Sequence, residues 1–184
     1  MDSKLTISGR ALHPMLVGFP VALYLATFTA FSLHATGGSP FWWRVGLWAN
    51  LLGVGAAVVA AIPGLVDLLM IPSGHPAKRV GISHMLLAVT ALSLFVANLF
   101  VQRGTWENLS PLLRTNLGVP DYVQPAVRAS LVLTGTGVAV TLAAGFLGWT
   151  LVRKHHVGIP HERRLTVSPG AAARVPPPRV VDSH

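Results

Sequence analysis

Four long stretches of this chain carry no Asp, Glu, Lys or Arg, and they constrain its fold more than any other feature. The first runs from Ala11 into the Trp42–Trp43 pair and is densest over residues 14–35; the second is Val45–Val66, continuing past Asp67 to Ile71. The third is Val80–Gln102 and the fourth Ala129–Val152. A hydrocarbon core about 30 Å thick takes roughly 20 mostly apolar residues as a helix, which satisfies its own backbone polar groups internally. Only 11% of the residues are charged and the mean hydropathy is +0.57, whereas a soluble domain is about a quarter charged. Lipid is therefore the expected solvent.

The expected fold is all-α: an integral membrane four-helix bundle, up-down-up-down, with spans at about 13–35, 42–71, 80–102 and 127–152. Thr36-Gly37-Gly38-Ser39-Pro40 and Pro72-Ser73-Gly74-His75-Pro76 are tight turns that make consecutive helices antiparallel neighbours. The third link, Arg103 to Arg128, is longer and polar, with Trp106, Leu109, Leu112 and Leu113 placed to lie along the interface. Residues 1–12 form an N-terminal cytoplasmic segment. Residues 153–184 form a basic tail with Pro176-Pro177-Pro178, expected to be disordered. The first apolar run is longer than a signal-peptide core and leads into further spans, so it reads as an uncleaved helix.

The net charge of +8 does not indicate nucleic acid, because the basic residues lie between apolar runs and in the tail. Lys4, Arg10, Lys78, Arg79 and six tail residues share one side, ten in all, against four on the other: Arg44, Arg103, Arg114 and Arg128. The bias places both termini in the cytoplasm. Trp42, Trp43 and Trp149 suit interfacial anchoring. With no cysteine in the chain, disulfides, iron–sulfur clusters, thiolate metal sites and a cysteine nucleophile are excluded.

Helix association in lipid relies on close contact, so small residues at helical spacing mark packed faces. The second span carries Gly53, Ala57, Ala60 and Gly64, with Asp67 following; the fourth carries Gly137, Thr141 and Gly145, with Ala144 and Gly148 beside them. Pro20 and Pro63 lie inside spans, where each bends the helix or frees a carbonyl. No repeated halves are evident among the spans, which weighs against a transporter.

Ionisable groups inside a membrane default to functional hypotheses. His13 opens span one, where Pro14 suits the first helical position; Asp67 ends span two; His84 lies one turn into span three. All three fall at the same cytoplasmic-side depth. In an up-down-up-down bundle spans one and three are diagonal, so two inward imidazoles could ligate one haem iron, with Asp67 orienting a ring through its second nitrogen. Gly18 and Gly81 would give a porphyrin room. Haem b, or a metal at His13 and His84, is thus the candidate cofactor. A structural clamp among these groups and a proton or ion path through Asp67 are the competing readings. His34, Arg44, Asn98 and Arg103 form a second polar set toward the other side, explained by snorkelling and interhelical hydrogen bonds. His155, His156, His161 and His184 belong to the tail and are expected to be solvated. No phosphate-binding loop, zinc helix motif or Ser–His–Asp order is present, so no independent enzymatic activity is expected.

The runs His13-Pro14-Met15-Leu16-Val17-Gly18-Phe19-Pro20, Ala60-Ala61-Ile62-Pro63-Gly64-Leu65-Val66-Asp67 and Gly81-Ile82-Ser83-His84 resemble the bacterial family called domain of unknown function 2231, over about residues 10–152. The resemblance makes His13, Pro14, Gly64, Asp67 and His84 signature positions, together with Asn98 and Arg103. It implies a multi-pass protein of the bacterial inner membrane, without an established activity. Relatives joined to a Rieske-type iron–sulfur domain point toward electron transfer. This chain has no such domain and no cysteine, so a redox partner would be a separate protein. The expectations are an electron-carrying or anchoring subunit that meets the lipid bilayer and other membrane subunits through its small-residue faces, or a non-catalytic accessory subunit.

Overall fold

The structure, a computed structural model, describes residues 6–7, 10–104 and 124–155. Within them, a short antiparallel pair, β1 (Thr6–Ile7) and β2 (Arg10–Ala11), precedes five helices. These are α1 (Leu12–Leu16), α2 (Gly18–Gly37), α3 (Pro40–Met70), α4 (Pro76–Val101) and α5 (Gln124–His155). Helices α1 and α2 together make one span; with α3, α4 and α5 they give four helices long and apolar enough to cross a membrane. The long link, including Trp106, Leu109, Leu112, Leu113 and Arg114, lies outside the described residues, as does the tail with His156, His161 and His184.

Local chemistry sets the helix ends. Helix α1 starts at Leu12, so Pro14 falls inside the first turn rather than at its first position, and its missing N–H still costs nothing there. The break at Val17 has a cause three residues on. Pro20 has no N–H to give the Leu16 carbonyl, while the bonds Val17 N–H to His13 O and Val21 N–H to Val17 O carry the helix through. Helix α2 stops at Gly38, whose φ of 67° lets its N–H close on His34 O at 2.7 Å. Pro40 then opens α3. At the next turn Gly74 takes φ 92°, His75 caps α4 by accepting from the Ala77 N–H at 3.2 Å, and Lys78 Nζ donates to Leu68 O at 2.7 Å. That last contact places a cation at the negative end of α3.

Inward positions recur at alternating steps of three and four. Pro20, Tyr24, Thr27, Phe31 and His34 are buried on α2, and Ala91, Phe95, Asn98 and Gln102 on α4. Trp43, Gly46, Asn50, Gly53 and Ala60 do the same on α3, and Val127, Ser130, Thr134, Gly137 and Ala144 on α5. This 3.5-residue spacing keeps one seam inward in near-parallel helix packing. Large meets small along it. A Cβ at Gly46 would lie 2.4 Å from Phe31, at Gly53 2.9 Å from Tyr24, and at Gly137 2.6 Å from Phe95. The outer surface is the reverse of a soluble protein's. Phe19, Ile62, Leu69, Phe100, Val132 and Phe146 are exposed, while Asn50, Asn98, Gln102, Ser130 and Thr134 are fully buried. Only a lipid bilayer solvates such a surface.

Trp43 departs from the anchoring role expected of it. It lies on the inward seam, buried against Phe31 and His34, while Trp42 and Trp149 are exposed. Gly145 also leaves its expected stripe, since a Cβ there meets nothing within 4 Å.

The expectation that the spans show no repeated halves is corrected. Arg44, Leu47, Gly53, Val54, Ala60 and Gly64 of α3 recur at identical spacing as Arg128, Leu131, Gly137, Val138, Ala144 and Gly148 of α5. A second constant offset carries His13, Tyr24 and Thr27 onto His84, Phe95 and Asn98 of α4. Equivalent side chains meet: Tyr24 stacks on Phe95 at 3.6 Å and 3°, and His13 meets His84 edge-on. Helix α2 packs mainly on α3 and α4 on α5, with α2 against α5 and α3 against α4 closing the ring. The bundle is thus two hairpins about an approximate twofold axis running along it.

Candidate functional site

The three groups expected at one depth converge at the α1 end of the bundle. His13 and His84, from diagonal spans, have ring centroids 6.2 Å apart and planes at 80°. His13 Nδ1–H donates to Ala60 O at 2.8 Å, and His84 Nδ1–H donates to Ala144 O at 2.8 Å. Ala60 and Ala144 are equivalent positions of the two hairpins. So each imidazole is fixed in the same way, by the neighbouring long helix of its own half. A carbonyl only accepts, which puts the proton on Nδ1 and leaves the Nε2 lone pair of a neutral ring to act as a ligand.

Glycine makes these ring positions possible. A Cβ on Gly64 would lie 2.6 Å from His13 Cε1, and one on Gly148 3.2 Å from His84 Cε1. Gly18 and Gly81, expected to flank the rings, do not. A Cβ at Gly18 meets nothing within 4 Å, and one at Gly81 would meet Leu68 at 2.7 Å, because Gly81 faces the end of α3. The glycines that face the rings lie four residues after each accepting carbonyl, Ala60–Gly64 and Ala144–Gly148.

Asp67 lies within electrostatic reach of His13. It does not receive the Nδ1 proton of either ring, because main-chain carbonyls hold both. His13, Asp67 and His84 are all half-buried, unlike the sealed interior further along the seam. Among the described residues no group of three or more His, Cys, Asp or Glu could hold a metal ion. Two imidazoles are what this layer offers.

The members of the second polar set differ in burial. His34 is buried in the α2–α3 turn, where its Nδ1–H donates to Ser39 O at 2.8 Å and its ring lies 5.3 Å from Trp43. Asn98 is fully buried on the seam, Arg44 is half-buried, and Arg103 is exposed.

A family model described as "Predicted membrane protein (DUF2231)" matches residues 9–161. No curated protein and no solved structure matches the chain. The matched region takes in all four membrane-spanning helices, the repeat and the paired histidines. The chain belongs to the DUF2231 family of predicted membrane proteins.

Proposed function

We propose that this protein is a small electron-carrying or anchoring subunit of a membrane redox complex, and that His13 and His84 would hold the iron of haem b. One observation carries the reading: two diagonal imidazoles, each pinned through Nδ1, stand 6.2 Å apart. If His13 and His84 held one metal ion, bonds of about 2.1 Å would bring their ring centres to roughly this separation. Among the described residues two imidazoles converge, so a metal held there would have to bring its remaining ligands with it, as the iron of a tetrapyrrole does.

Haem would supply reversible one-electron exchange. The chain's own part is to hold the two rings at fixed tautomer and orientation, and to keep the carboxylate of Asp67 near His13, where it favours the oxidised, more positive state of the site. The small residues of α3 and α5 bring the helices close enough for both rings to face one another. On the count of basic residues the site lies on the cytoplasmic side of a bacterial inner membrane.

The test is the visible spectrum, with metal analysis, of the full chain purified in detergent after expression with ample haem. The expected result is a Soret band, with iron near one per chain. Protein that folds and carries no such band overturns the reading.

A further inference from the structure

The opposite half of the seam holds amides without partners. Both polar atoms of Asn98, Oδ1 of Asn50, Oε1 of Gln102 and Nε1 of Trp43 are buried with no hydrogen-bond partner among the described residues. Asn50, Asn98 and Gln102 are 0% exposed. Their remaining contacts are long: Asn50 Nδ2 to Phe95 O at 3.4 Å and Gln102 Nε2 to Ser130 Oγ at 3.2 Å. The repeat sets these amides apart from their neighbours. Thr27, the equivalent of Asn98, and Thr134, the equivalent of Asn50, return their hydroxyls to their own helices at Leu23 O (2.8 Å) and Ser130 O (2.6 Å). An amide on the seam has no such internal solution.

We propose that this layer is a binding site for internal water, with two or more molecules bridging Asn50, Asn98 and Gln102. The chemistry selects the ligand. The open groups are three carbonyl-type acceptors, two N–H donor atoms and the Tyr24 hydroxyl, and none is charged. A buried ion would lack a counter-charge, whereas a water can donate to two amide oxygens and accept from an N–H. Among the described residues no hydrogen bond fixes the Asn98 amide, so a water between α3 and α4 would be its partner. The Tyr24–Phe95 stack lies one turn below, at 3.6 Å and nearly parallel. This inference does not depend on haem.

The experiment uses the full chain in lipid bilayers and water-edited solid-state NMR of side-chain amides, with the Asn98 signal identified by its loss in Asn98→Ser. Rapid transfer from water protons to the Asn98 Nδ2 hydrogens is expected, while the indole of the exposed, lipid-facing Trp48 stays dark. An Asn98 amide as slow as Trp48 overturns the proposal. Infrared spectra give a second reading on the same samples. Isotope-sensitive bands of internal water, shifted by H2(18)O, should be present in the wild type and reduced at least twofold in Asn50→Leu/Asn98→Leu. No such bands, or bands unchanged in that variant, also overturn it.

Discussion

His13 and His84 occupy equivalent positions in the two halves of the repeat, and each donates Nδ1–H to the equivalent carbonyl, Ala60 O or Ala144 O, at the same 2.8 Å. Equivalence of this kind predicts equal loss. His13→Ala and His84→Ala should each lower bound haem by at least about tenfold, since removing even a residue that only supports a metal ligand costs ten- to a hundredfold. Spectral titration of each variant with hemin measures it. Variants that keep the wild-type band would show that the rings are packing groups.

The glycines beside the rings give a graded prediction. A Cβ at Gly64 would stand 2.6 Å from His13, but one at Gly148 only 3.2 Å from His84. Gly64→Ala therefore forces the ring to move, at a cost of about 1–3 kcal/mol for overpacking, and should lower the thermal midpoint and shift any absorption band. Gly148→Ala asks its neighbour to give a few tenths of an ångström and should be the milder change. Thermal unfolding in one detergent, read by circular dichroism, ranks them.

The same reasoning applies where no histidine is involved. A Cβ at Gly137 would lie 2.6 Å from Phe95, so Gly137→Ala should destabilise by about 1–3 kcal/mol. Phe95→Leu in that background should recover part of the loss, because the clash is with the ring. Failure of the second substitution to recover anything would mean the damage lies elsewhere in α5.

Much of this was open to inspection in the sequence. Uncharged length marks the four helices, and the similar depth of His13, Asp67 and His84 marks the candidate site. The repeat was hidden because the hairpins carry links of different length, so no single offset aligns both helix pairs. Compared one helix at a time, Arg44 to Gly64 and Arg128 to Gly148 show it at once. Which glycines serve the rings was less accessible. Gly18 and Gly81 are closer in sequence to the histidines, yet Gly64 and Gly148 are their neighbours across the helix pair, a relation set by antiparallel register. Trp43 was misplaced for a similar reason, since turn proximity suggested an interface and only the 3.5-residue seam puts it inside.

His34 offers a contrast to the paired histidines. Its Nδ1–H closes the α2–α3 turn on Ser39 O, beside the Gly38 N–H bond to His34 O. His34→Ala should cost about 1 kcal/mol, the worth of one buried hydrogen bond, and leave any pigment spectrum unchanged. A lost or shifted band in this variant would mean that the second polar set carries a ligand after all.

Orientation is the last point open to a direct test, and the cysteine-free sequence suits it. Ser39 lies in the turn between α2 and α3, and Ser73 in the turn between α3 and α4. The turns cap opposite ends of α3, so they must face opposite sides of the bilayer. By sequence order alone, ten basic residues fall in segments expected on the side of Ser73 and four in segments expected on that of Ser39, so the positive-inside bias predicts Ser73 in the cytoplasm. In intact bacterial cells an impermeant maleimide should label Ser39→Cys and spare Ser73→Cys, which should react only after lysis. The reverse pattern would move the paired histidines to the outer face, and any redox partner with them.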